Sequence, residues 1–222
     1  MNRKIWILTA TVLFLTLTLT VYSLALSSNP TDGIIHSSWK ILDPEKQTKY
    51  WIVERQGGNY SVEKNTLILT STGEPYDYVL LYKALNATGD FTIRLEVMSP
   101  DLGAFCVKLA KSKPFFGSVE CITFEMTDTV QGKGFQIARW VNGWTWETFA
   151  QPQTNVWYRL EIEVHKEPFE VIFKVYQGKE LYGIAQADDM TNINFEEIKW
   201  IVLECWSNPS EYQIKHFKLQ EA

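Results

Sequence analysis

Phe91-Thr92-Ile93-Arg94-Leu95-Glu96-Val97 places a large apolar side chain at every second position and a polar one between. Successive side chains on a β-strand point to opposite faces, so this run reads as a strand with one face for a core and one for water or a ligand. The same rhythm continues downstream. Phe105, Val107 and Leu109 alternate with Cys106 and Lys108. Tyr158, Leu160, Ile162 and Val164 alternate with Trp157, Arg159, Glu161, Glu163 and His165. Antiparallel sheets packed on one side write this pattern into a sequence.

Residues 171–176 form another such run and turn at Gln177-Gly178 into residues 181–184. Trp200-Ile201-Val202-Leu203 is apolar on both faces, as expected of a central strand. In the last strand, residues 212–219, the apolar spacing slips between Ile214 and Phe217, the mark of a bulge. Beyond Trp39 no helix longer than a turn or two is expected, and residues 188–194 read as a loop. Roughly ten to fourteen strands fit the length, without the regular repeat of a solenoid or propeller. The expected fold is all-β: a two-sheet antiparallel β-sandwich formed by residues 39–222 as one domain.

Composition agrees. Nine Trp, 10 Tyr and 12 Phe in 222 residues are a rich aromatic supply, and aromatics favour pleated, half-buried surfaces. The net charge is −5. Arg3 and Lys4 are the only charges in the first 26 residues, leaving 19 basic against 26 acidic groups in the rest. No basic face is available to neutralise phosphates, which excludes nucleic acid as a partner.

Residues 5–26 carry no charge, and a helix of that length spans a hydrocarbon core. With Arg3 and Lys4 on the leading side, the N-terminus is expected inside and the remainder on the extracellular side of the membrane. Two outcomes fit residues 1–26. Ser23-Leu24-Ala25 suits cleavage of a signal peptide after Ala25; the length of the apolar run suits a retained signal-anchor transmembrane helix. Residues 27–38 read as a polar, turn-rich linker.

Three segments resemble the concanavalin A-like lectin/glucanase superfamily, the jelly roll shared with laminin-G-like modules. Thr88-Gly89-Asp90-Phe91-Thr92-Ile93 is similar to the turn that opens a core strand there. Asn155-Val156-Trp157-Tyr158-Arg159-Leu160-Glu161-Ile162 resembles the Trp-Tyr strand, and Glu211-Tyr212-Gln213-Ile214-Lys215-His216-Phe217 resembles the final strand, which in the family pairs beside the first. The resemblance covers about residues 39–219 and implies a ligand, often a glycan, on a concave sheet face or rim loops. One fold hosts many functions, so the residues must carry the rest.

A retaining glycanase needs two carboxyls about 5–5.5 Å apart. The Glu-x-Asp-x-(x)-Glu strand of family-16 glucanases is absent. Glu161, Glu163 and His165 share one face of a strand, a set able to bind a metal or shuttle protons, or simply a solvated face balanced by Arg159. Three His in the chain argue against a His-rich metal site. No cofactor is indicated; a structural calcium built from scattered oxygens has no motif to mark it.

Arg139-Trp140-Val141-Asn142-Gly143-Trp144-Thr145-Trp146-Glu147 contains Asn-Gly between strand-like flanks, a strong two-residue hairpin signal. Setting Val141 opposite Trp144 puts Gln136, Ala138, Trp140, Thr145, Glu147 and Phe149 on one face. The other face receives Phe135, Ile137, Arg139, Val141, Trp144 and Trp146. An indole plate beside amide and carboxylate groups is what a sugar site requires, so Trp140, Gln136 and Glu147 are candidate glycan-binding residues, with Glu161 and Glu163 on a second strand. The opposing reading has these tryptophans packing the hairpin, with Arg139 over Trp146. Tyr76, Tyr78 and Tyr82 with Asp77 form either a ligand rim or structural packing.

Cys106, Cys121 and Cys205 allow one disulfide, with Cys106 and Cys121 on successive strands, or three buried thiols. The leading expectation is an extracytoplasmic, non-catalytic, carbohydrate-binding module. The alternatives are a glycan-cleaving enzyme with carboxylates such as Glu125, Glu147 and Glu161, and an envelope domain that binds a cell-surface protein.

Overall fold

The computed structural model describes residues 41–42, 51–74, 76–112, 120–129, 133–206 and 209–221. All belong to one unit, Gly33–Ala222. The expected N-terminal helix (1–26) and linker (27–38) lie outside the described residues. Among those described, no helix is long and apolar enough to cross a membrane.

The alternating runs form two sheets. The first has eight strands in the order β1 (Ile41–Leu42), β2 (Trp51–Gln56), β5 (Tyr78–Ala84), β14 (Trp200–Trp206), β7 (Ala104–Ala110), β8 (Cys121–Asp128), β9 (Lys133–Trp140) and β10 (Trp144–Ala150). The second has seven: β13 (Glu180–Ala187), β12 (Glu170–Gln177), β11 (Tyr158–His165), β6 (Phe91–Met98), β15 (Pro209–Glu221), β4 (Thr66–Thr72) and β3 (Asn59–Glu63). The two-residue β1 pairs in parallel with β2, and the remaining ladders are antiparallel. Residues 188–194 are irregular, as expected, and lead into a single 3-10 turn at Phe195–Glu197.

The apolar positions of β6 and β11 sit where the rhythm puts them. Ile93 lies opposite Ile162 and Leu95 opposite Leu160, all buried in the core between the sheets. Phe105 stacks on Tyr212 and Phe124 meets Phe173 edge-on, joining the two layers. In β15 the register shifts between Lys215 and Lys218, and His216 adopts φ 55°, so Ile214 and Phe217 both stay buried. This is the bulge read from the slipped spacing. The last strand lies between β4 and β6, not beside the first: β1 and β2 belong to the other sheet.

One strand departs from the expected pattern. The alternation puts Cys106 and Lys108 on a face for water or ligand, yet every residue of β7 is buried. That outward face of the eight-stranded sheet has its own apolar cluster of Leu80, Tyr82, Ala110, Cys121 and Val202, with Tyr78, Trp144 and Trp200 packed against it.

Candidate ligand-binding face

Strand register places side chains in transverse rows, because residues opposite one another on neighbouring strands project to the same side. One outward row of the eight-stranded sheet runs Glu54, Leu80, Glu204, Cys106, Glu125, Gln136, Thr148. The adjacent row runs Ile52, Tyr82, Val202, Lys108, Thr123, Ala138, Trp146. Charge and hydrogen-bonding capacity thus collect on strands whose neighbours are aromatic.

At the centre, Lys108 Nζ lies 2.6 Å from Glu204 Oε2, and the two side chains are only 9% and 2% exposed. Burial works against the Lys108 ammonium, but the Glu204 charge and hydrogen bond, joined by the neighbouring Cys106 and Cys121 thiols, together outweigh it and hold the pKa above the ordinary lysine value. Across Cys106, Glu125 accepts a hydrogen bond from Gln136 Nε2, and Gln136 Oε1 accepts one from Thr148 Oγ1 at 3.1 Å. Burial pushes the Glu125 carboxyl up, against the Gln136 bond and the Lys108 charge. The Trp206 indole N–H donates to Cys106 Sγ at 3.4 Å, and Tyr78 OH donates to Glu54 at 3.2 Å.

The raised Glu125 pKa fixes the sign of a stability effect. Such a group contributes its full stabilisation below its unfolded pKa and loses it as pH rises through the folded value. Glu125→Gln should therefore raise the melting temperature at neutral pH. The gain should shrink when both proteins are melted at mildly acidic pH; a gain that grows on acidification would contradict the burial of this carboxyl.

Beside this floor stands the tryptophan hairpin, whose register differs from expectation. Trp140 pairs with Trp144, Arg139 with Thr145, and Ala138 with Trp146. The loop therefore has three residues, Val141-Asn142-Gly143, rather than two. Residues 188–194 impose it. Trp140 O accepts from Thr191 N at 3.0 Å and from Thr191 Oγ1 at 3.1 Å, while Asn142 N donates to Thr191 Oγ1 at 3.4 Å. Arg139 reaches Asp189 at 2.5 Å and Glu147 at 3.5 Å. The one-residue change brings Trp140, Trp144 and Trp146 onto the same face as Gln136 and Thr148. Ring centroids are 5.8 Å apart for Trp140–Trp144, edge-on, and 6.1 Å for Trp144–Trp146, stacked. Trp146 is half exposed.

Of the residues expected to bind a glycan, Trp140 and Gln136 thus share a face, but Gln136 is buried, with its amide taken up by Glu125 and Thr148. Glu147 moves to the opposite phase and pairs with Arg139, which is not seated over Trp146. Glu161 and Glu163 lie on the outer face of the other sheet, each with its own cation: Arg94 at 2.6 Å from Glu161 and Lys174 at 2.6 Å from Glu163. Burial opposes the Glu163 charge, but the hydrogen bond and charge of Lys174 prevail and hold its pKa low. His165 Nδ1 is 3.0 Å from Asp90, and Arg159 lies over the Tyr176 ring. This is a face of matched ion pairs. No group of three or more His, Cys, Asp or Glu among the described residues is placed to hold a metal. The trio Glu125, Glu147 and Glu161 is dispersed over different faces.

Of the two readings of the cysteines, three buried thiols and not a Cys106–Cys121 disulfide is what the structure has. Cys106, Cys121 and Cys205 are free and buried. Cys121 lies opposite Ala110, four residues along β7 from Cys106, a separation of roughly 13 Å where a bridge needs Cα atoms within about 7 Å.

Lys108, Glu204, Trp144 and Trp146 join the site only in the folded chain. A lysine inside the apolar run 104–110 and a glutamate inside 200–206 were the available signals.

Two antiparallel sheets packed face to face, one of them with a polar, aromatic-edged outward face, make this chain a β-sandwich. No family model matches the chain, and no curated protein matches it. Solved structures do. The VIP36 exoplasmic/lumenal domain in its Ca2+/Man3GlcNAc-bound form superposes with a TM-score of 0.57 at 9% identity, covering 79% of this chain and 87% of that one. The Emp47p carbohydrate recognition domain gives 0.56 at 11% identity, covering 80% and 90%. The legume lectin-like domain from Entamoeba histolytica gives 0.54 at 11% identity, covering 86% and 100%. The chain has the concanavalin A-like jelly roll that its sequence resembles; at these identities the fold is what is shared.

Proposed function

We propose that this chain is a non-catalytic glycan-binding module, held on the outer side of a membrane, with its ligand on the outward face of the eight-stranded sheet. The observation that carries the reading is the Trp140–Trp144–Trp146 ladder standing beside the polar row of Glu125, Gln136 and Thr148. Sugar rings present C–H faces that stack on indole and hydroxyls that pair with carboxylates and amides. The lectin-like neighbours, among them a carbohydrate recognition domain and a Man3GlcNAc-bound form, support it. The positive N-terminus and uncharged residues 5–26 support the location; complete protection of the domain from protease added to intact cells would count against that part.

Trp146→Ala should remove glycan retention on an array while leaving the melting temperature nearly unchanged, since half of that side chain is already in water. Trp140→Ala should also abolish retention, with a measurable loss of stability, since most of that side chain is buried and packed on Trp144. Wild-type binding that survives both substitutions would refute the site. A second reading, glycan cleavage, is favoured by one observation. Glu125 and Glu204 share a face across one intervening residue, Cys106, with Cα atoms about 10 Å apart, and their environments differ. Reducing-sugar release by the wild type that disappears in Glu125→Gln would establish that reading over simple binding.

A further inference from the structure

We infer that this face selects glycans carrying a free amine over neutral ones and rejects acidic ones, with Glu125 as the group that reads the charge. The inference rests on the glycan-binding reading above and concerns which glycan the same site takes.

Charge balance across the face is the first argument. Among the described strand residues projecting outward from the eight-stranded sheet, the acidic groups are Glu54, Glu125 and Glu204, and the cation is Lys108. Lys108 is committed to Glu204 at 2.6 Å, and both side chains are nearly sealed. No arginine or lysine among the described strand residues of that face is left to pair with a uronate, sialate or sulfate group. An acidic sugar would bring its charge against unbalanced carboxylates in surroundings that screen poorly.

Glu125 has the geometry to read a positive charge. Its Oε2 is engaged by Gln136, a neutral donor, and no cation among the described residues lies within ion-pair distance of it. Its Oε1 accepts no hydrogen bond from a described residue and is not among the sealed polar atoms. Unlike Glu204, Glu125 keeps part of its surface exposed. A carboxyl with one anchored oxygen and one open oxygen is set to receive an ammonium donor. Gln136, itself held by Thr148, fixes the direction in which the open oxygen points. The indole ladder would hold the ring of the amino sugar, since tryptophan also attracts cations over its face.

Glu161 and Glu163 could not serve in this way. Arg94 and Lys174 already occupy them.

The test is calorimetric titration of the full chain, at near-neutral pH where the Glu125 carboxyl is ionised and sugar amines are still partly charged, with three probes of equal length: N-acetylglucosamine oligomers, the same oligomers after de-N-acetylation, and galacturonate oligomers. A charge-assisted hydrogen bond predicts that the de-N-acetylated oligomers bind about 10-fold or more tighter than the acetylated ones. Galacturonates should bind more weakly than both. Glu125→Gln should bring the amine oligomers to the affinity of the acetylated ones, and Glu180→Gln, an exposed acid on the other sheet, should leave the preference intact. Galacturonates binding best, or an amine preference that survives Glu125→Gln, would overturn the inference. Equal binding of acetylated and amine oligomers would overturn it and leave the glycan-binding reading standing. No binding of any probe would remove both.

Discussion

Replacing Lys108 by methionine should lower stability by about 3–5 kcal/mol, because it strands the Glu204 carboxylate in a place where only 2% of its side chain meets water. For a domain of this size the melting temperature should fall by roughly 10 °C. The cost does not measure the worth of the pair. Charges taken out of water are expensive, and their attraction does little more than compensate. Hence the double replacement Lys108→Met with Glu204→Leu should recover most of the loss, and the urea-unfolding midpoints of wild type, the single variants and the double variant form the cycle that decides it. A Lys108→Met protein within about 1 kcal/mol of wild type would mean that water reaches Glu204 and that the pair behaves as a surface bridge.

Phe135→Ala should be comparably damaging, at about 3–5 kcal/mol for a fully buried aromatic. Its ring meets Tyr158 edge-on at 5.0 Å, lies near-parallel to Phe149 at 6.4 Å and meets Tyr182 at 6.4 Å. These partners come from β11, β10 and β13, so one side chain ties the tryptophan hairpin of the first sheet to the edge of the second. The hole left behind should therefore weaken glycan retention as well as stability, although Phe135 touches the inner layer alone. Phe135→Leu, which refills most of the volume, should restore both. Loss of stability with binding intact at a temperature where the variant is folded would show that the hairpin holds its shape without the core beneath it.

How far such features can be read in a sequence depends on the range of the force that sets them. The alternation in β6 and β11 is local, each residue declaring its own side, and the sandwich follows once those sides are buried together. The bulge near His216 is equally local: the spacing between Ile214 and Phe217 breaks the rhythm, and the backbone bends to keep both inside. The Asn142-Gly143 signal misled for the opposite reason. Turn propensity favours a two-residue loop by a small margin, while Thr191 and Asp189, about fifty positions downstream, hold Trp140 and Arg139 in a different register. Lys108 and Glu204 are 96 residues apart and meet because β7 and β14 are neighbours, a fact of topology that no window around either residue contains. The β11 carboxylates Glu161 and Glu163 were correctly placed on one face; what could not be seen was that β6 and β12 each bring a cation to them. Cys106 and Cys121 lie on adjacent strands as expected, but the offset along the hairpin is set by register.

The loop at 141–143 has an odd number of residues, and parity along a ladder is all or nothing. A shift of this pairing by one position, setting Trp140 opposite Thr145, would present Thr145 and Glu147 where this chain presents its indoles. The register that Thr191 and Asp189 hold here is thus a switch between an aromatic and an acidic edge, and substitutions at those two distant positions could turn it.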